Sequence, residues 1–191
     1  MEENTPKEIQ ESQENHTAKK ETPFAFIRSV FLTVFATWLV LNFVIINARI
    51  PSASMEQTIM TGDRVIGLRF LKNYKRGDIV VFHDPDQEAR YLIKRVIGLP
   101  GETVKIRQGA DGFADVFVNG QELSESYLSE PMFYTGDFEI TLPEDGYFMM
   151  GDNRNHSYDA RFWDHKVVYG DDIVGIAKFR YWPVTEIGPI G

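Results

Sequence analysis

The run from Phe24 to Ile46, FAFIRSVFLTVFATWLVLNFVII, constrains this chain more than any other feature. Its 23 residues, taken as a helix, would be roughly 34 Å long, enough for a hydrocarbon core of about 30 Å. The only charge in it, Arg28, stands near the entry end, where a long side chain can snorkel toward headgroups. A cleaved signal peptide is the competing reading. Against it, the run exceeds the usual apolar length of about 7 to 15 residues, a polar tail precedes it, and Asn47-Ala48-Arg49 offers no Ala-x-Ala cleavage site. A retained transmembrane helix is therefore expected over 23–46. Lys19, Lys20 and Arg28 flank it on the amino side, against Arg49 alone just beyond it, so the amino terminus is expected in the cytoplasm and residues 47–191 outside. Residues 1–22 hold too little apolar surface to offset the entropy of ordering and are expected to form a disordered cytoplasmic tail.

After the anchor the pattern changes to short β-branched and aromatic runs: RVIGLRF, DIVVF, YLIKRVIG, TVKI, DVFV, FEITL, GYFMM and DIVGIAKFRYW. Turn signals separate them, among them Arg76-Gly77-Asp78, Pro100-Gly101, Asn119-Gly120 and Asp145-Gly146. Residues 47–191 are thus predicted to form one mostly β, antiparallel domain, with about 105–146 a smaller β excursion. Composition narrows the chemistry. The net charge of -8 argues against nucleic acid as a partner, because phosphate needs a basic footprint. With no cysteine there is no disulfide scaffold, thiolate zinc site or cysteine nucleophile. The four histidines lack the spacing of a helical zinc site, so neither a metal nor a cofactor is expected.

A nucleophile could stand in Ile50-Pro51-Ser52-Ala53-Ser54-Met55, but a serine hydroxyl needs a base to take its proton. One candidate base is His156, which shares GDNRNHSYDAR with Asp159; neighbours within one loop rarely meet the geometry of a triad. The other is Lys94, whose apolar neighbours in YLIKRVIG could desolvate the ammonium and lower its pKa, with Arg95 pointing to the opposite strand face. Alone, a strand lysine is more often a solvated edge charge.

Four blocks in order change that weighing. Pro51-Ser52-Ala53-Ser54-Met55, Gly62-Asp63-Arg64-Val65, Lys94 to Glu102 and Gly151 to Arg161 resemble the blocks of the bacterial type I signal peptidases, membrane-anchored serine proteases with a Ser/Lys dyad. The resemblance covers nearly everything from the anchor to Ala177. It implies Ser54 as acylating nucleophile and Lys94 as general base, with Ser52 and the Ser54 backbone N–H facing the oxyanion. It further implies that Ser157 orients the Lys94 amine, that Asp152 pairs with Arg95, and that Asp159 pairs with Arg161. Ile50, Pro51, Met55, Leu92 and Ile93 would line shallow pockets for small side chains. The implied substrates are secreted preproteins, held at the lipid bilayer and cut after small residues of the Ala-x-Ala type. Three departures bear on pocket shape: Ala53 replaces a usual Gly, Gln57 stands where Pro is common, and Ala160 replaces a Ser. Two competing readings remain. A self-cleaving Ser/Lys protease resembling the damage-response repressors would be soluble, against the anchor. A catalytically dead tethered module should have lost Ser54 or Lys94, and both are here.

Overall fold

A computed structural model describes residues 23–190; the tail expected over 1–22 lies outside the described residues. The chain divides into two compact units that part between Thr37 and Trp38. Helix α1 (Pro23–Leu39) continues as one wider turn, Val40–Val44, and the 22 residues are long and apolar enough to cross a membrane. Its hydroxyls are satisfied within the helix: Ser29 donates to the Phe26 carbonyl at 2.8 Å, Thr33 to Ser29 at 2.9 Å and Thr37 to Thr33 at 2.8 Å. These side chains therefore place no demand for water on an apolar surround. The helical stretch stops two residues short of the expected boundary. Ile45 already has extended dihedrals, and the Ile45-Ile46 pair opens a strand whose partners are Leu68 and Gly67.

The second unit is built from strands. In chain order, β1 (Ile45–Arg49), β2 (Arg64–Leu68), β3 (Ile79–Asp84) and β4 (Gln87–Gly98) come first. Then follow β5 (Thr103–Gln108), β6 (Ala114–Val118), β7 (Gln121–Glu122) and β8 (Phe138–Thr141). Last are β9 (Gly146–Met150), β10 (Val168–Tyr169), β11 (Ile173–Trp182) and β12 (Gly188–Pro189). The eight-stranded sheet has the order β1-β2-β11-β3-β4-β9-β10, with β12 on β11, and every pairing is antiparallel. Strands β7-β6-β5-β8 make a separate four-stranded sheet, which is the expected excursion.

Strand β3 is buried on both faces, which is why its sequence is a continuous apolar run rather than an alternating one. Ile79 and Val81 join Ile46, Ile50, Met55, Ile59 and Val65 in one core cluster. Val80 and Phe82 join the other, which also takes Val104, Ile106 and Val116 from the small sheet. Three features then set the site. Ser54 lies in a tight turn, Ala53–Met55, just after β1; Lys94 lies within β4; and the loop after β9 carries residues 151 to 161.

Candidate active site

The segment leading to Ser54 is pinned by its backbone. Ile50 N–H donates to the Asp63 carbonyl and Gly62 N–H donates to the Ile50 carbonyl, both at 2.9 Å. Gly62 turns the chain there with φ +96°, a conformation open to glycine, and the Asp63 carboxylate accepts from Met60 N–H and from Arg180, each at 2.9 Å. Asn153 holds the next turn by two bonds: its backbone N–H reaches the Ser54 carbonyl and its side-chain amide the Ala53 carbonyl, each at 3.1 Å.

Lys94 stands opposite Val80 on β3, and its face of β4 also carries Leu92 and Val96. Its Nζ donates to Ser54 Oγ at 2.5 Å, and both residues are buried. Burial drives the ammonium down to about 8 from 10.5, opposed by Asp159 and assisted by Arg90. An amine in that range can give up a proton near neutral pH, and its hydrogen bond aims it at the one hydroxyl it would activate. Ser52 Oγ lies 3.5 Å from Ser54 Oγ, on the exposed side of the turn.

The neighbouring cations have carboxylates. Arg95 Nε and Nη2 meet Asp152 at 2.8 and 2.7 Å, and Thr58 donates to the same carboxylate at 2.5 Å, tying the segment after Ser54 to β4. Arg161 meets Asp159 at 2.8 and 2.9 Å, and Gly151 N–H adds a bond to Asp159 at 3.0 Å. A third buried pair joins Arg154 to Glu125 of the excursion at 2.7 and 2.5 Å, while Arg154 Nε holds the Gly151 carbonyl at 3.1 Å. Tyr127 donates to Glu125 at 2.6 Å, and its ring lies 4.0 Å from the Arg95 guanidinium. The loop between β7 and β8 therefore reaches the site through Glu125 and Tyr127.

Not every expected residue takes the expected place. Ser157 Oγ is buried and makes no hydrogen bond among the described residues, so it does not hold the Lys94 amine. It is packed against Gly151, where a Cβ would collide with Ser157 Oγ and with the Ser54 carbonyl, and the lysine turns instead to Ser54. Met55 does not line the groove beside Ser52 and Lys94, because the tight turn drives it into the core. That groove, about 120 Å³, is lined by Ile50, Pro51, Leu92 and Ile93 as expected, and also by Arg49, Arg90 and Tyr91. His156 is exposed and faces Asn153 at 3.1 Å, while the Asp159 carboxylate is occupied by Arg161 and Gly151, so these two do not form a triad with Ser54. Ala53 avoids the left-handed region and needs no glycine, whereas Gln57 has φ +81°, which a proline ring forbids. Ala160 is packed in the core.

The reading from sequence left out Thr58, Asn153, Arg154, Glu125 and Tyr127. Asn153 and Arg154 sit inside the GDNRNHSYDAR run and could have been drawn from it; Glu125 and Tyr127, in a polar loop far along the chain, carried no comparable signal.

Comparison with known proteins identifies the family. Residues 24–182 match the family described as signal peptidase, peptidase S26. A signal peptidase I of Leptolyngbya laminosa is 38% identical over 175 residues, spanning 86% of this chain and 82% of that protein. One of Bacillus licheniformis is 32% identical over 188 residues, spanning 92% and 97%. A crystal structure of a signal peptidase I from Enterococcus faecalis V583 is 34% identical, with a TM-score of 0.45 over 55% of this chain and 96% of that one. The chain belongs to the signal peptidase S26 family and is a serine peptidase, a hydrolase.

Proposed function

We propose that this peptidase removes signal peptides from secreted preproteins by a Ser54/Lys94 dyad, cutting after small residues at the positions one and three before the bond. The contact between Lys94 Nζ and Ser54 Oγ, inside a pocket dry enough to hold the amine near pH 8, is the observation that carries this reading. Neutral Lys94 takes the Ser54 proton as the hydroxyl attacks the scissile carbonyl. Ser52 Oγ and the Ser54 N–H serve as donors to the oxyanion, and the lysine then returns its proton to the leaving amine. Water hydrolyses the acyl-enzyme with the same amine as base. Ile50, Pro51, Leu92 and Ile93 supply the apolar walls that admit only small side chains, while main-chain pairing supplies affinity.

The helix 23–44 acts as a single-pass anchor with the amino terminus in the cytoplasm, so the β domain works outside at the lipid surface where preproteins emerge. Tethering enzyme and substrate to one surface raises their effective concentration.

Ser54→Ala and Lys94→Ala should each abolish cleavage of an Ala-x-Ala preprotein by the detergent-solubilised chain, with the new amino terminus identified by sequencing. Full activity in either variant overturns the dyad. His156→Ala should be nearly silent. At pH 7 only about a tenth of an amine with pKa near 8 is neutral. Activity should therefore climb through pH 8 and level off above it, and a profile flat from pH 6 to 10 contradicts neutral lysine as base.

A further inference from the structure

The groove leading to Ser54 has a charge of its own. Its titratable lining residues are Arg49, Arg90, Lys94 and Tyr91, without a carboxylate, although the chain as a whole carries -8. Arg49 makes no hydrogen bond or ion pair among the described residues and in register faces another cation, Arg64. The Arg90 side chain is 59% exposed and forms an ion pair with Asp84 at 3.8 Å, too long for a hydrogen bond, so its donors still face the groove. Two guanidiniums are thus left with unused donors at one groove mouth.

Direction follows from the sheet. From β1 through β2, β11 and β3 to β4 every step is antiparallel, so β1 and β4 run the same way. Each leads toward the dyad, since Ser54 follows β1 and Lys94 follows Arg90. Arg90 precedes Lys94 by four positions, about 13 Å at strand rise. An extended substrate rises at the same rate. For a substrate running parallel to β1 and β4 with its residue before the cut by Lys94, the fifth residue before the cut lies by Arg90, and Arg49 lines the same groove.

We propose that Arg49 and Arg90 form an anion-reading subsite for the substrate side chain five residues before the cut, favouring Asp or Glu there and rejecting Lys or Arg. The subsite rests on the Ser54/Lys94 reading, because the dyad and its small-residue pockets fix which part of the substrate occupies this groove. A carboxylate there gains charge-assisted bonds to a forked donor, and a cation meets two like charges. The attraction is partly exposed, so it is modest and salt-sensitive.

The test uses the full chain in detergent and peptides with Ala at the first and third positions before the cut, differing only in Asp, Asn or Lys at the fifth. At low ionic strength kcat/KM should fall in that order, with Asp above Lys by about tenfold, and the ratio should shrink with added salt. Arg90→Glu should invert the order, and Arg49→Ala with Arg90→Ala should flatten it. Equal kcat/KM for Asp and Lys peptides overturns the subsite, as does an equal gain when Asp is moved to two residues after the cut. Peptide affinity for the Ser54→Ala chain, which needs no chemistry, should keep the same order; equal affinities there overturn the subsite independently. Cleavage that survives Ser54→Ala, with the charge order intact, overturns the dyad instead.

Discussion

The two sheets handle their lysines in opposite ways. In the small sheet Lys105 sits across from Glu139 on an exposed face and meets its carboxylate at 2.5 Å, lowering the Glu139 pKa through that hydrogen bond. In the large sheet Lys94 is buried and its hydrogen bond goes to a hydroxyl rather than a carboxylate. The acids within the site were available to it, but Asp152 and Asp159 are taken up by Arg95 and Arg161. Arginine stays charged at any ordinary pH, so the buried pairs neutralise the carboxylates permanently, and the one titratable cation is left poorly compensated. Burying a lysine lowers its pKa most where nearby acids compensate it least. The arginine pairs are therefore part of what keeps the amine near 8.

Asp152→Asn gives the largest expected break in this contrast. It leaves the Arg95 guanidinium buried with half its partner's charge-assisted bonds gone, at a cost of about 3 to 5 kcal/mol in unfolding free energy. A loss below about 1 kcal/mol would mean that the pair is solvated and does not define a dry site. Lys94→Met works the other way and stabilises. Holding the ammonium near 8 rather than 10.5 costs about 3 kcal/mol at pH 7, and leaving the Ser54 hydroxyl unpaired gives back about 1, so the variant should gain about 2 kcal/mol. The sign can be checked by titration. Between pH 8 and 10.5 the unfolded chain binds more protons than the folded one, so the parent's stability rises across that window and the gap to Lys94→Met closes. A gap constant from pH 7 to 10 would place the effect in packing rather than charge.

Much of this was open to reading from the chain. The long strands announced themselves because DIVVF, YLIKRVIG and GYFMM are dense in β-branched and aromatic residues; β7, β10 and β12, at two residues each, carry no period to read. Strand β1 was hidden for a different reason. Ile45 and Ile46 continue the apolar run of the anchor, and only pairing with β2 assigns them to the sheet. At the site, the family resemblance of four blocks pointed to Ser54, Lys94 and the two arginine pairs, and the structure brings each of these pairs into contact. The blocks could not give the Ser157 hydroxyl's actual surroundings, which depend on how closely Gly151 lets two loops approach. Nor could they give Glu125, whose pairing with Arg154 spans 29 positions and joins two loops.

The smallest expected effect closes the contrast from the other side. Glu139→Gln removes the acid from the exposed lysine of the small sheet, which is half of a surface pair whose attraction water and salt already weaken. Thermal unfolding should move by no more than about 2 °C at neutral pH, and by nothing measurable once salt is raised. The pH dependence again fixes the sign. A carboxyl whose folded pKa is lowered contributes stability above its ordinary range and loses it as the pH falls through the lowered value, so the parent and Glu139→Gln should converge in acid. Cleavage of an Ala-x-Ala preprotein should be untouched, because Lys105 and Glu139 lie on strands of the small sheet, whereas the site is reached by Glu125 and Tyr127 of the loop between β7 and β8. A large loss of activity in Glu139→Gln would mean that the small sheet shapes the pocket as a whole, and the separation between a screened lysine in one sheet and a dry one in the other would no longer hold.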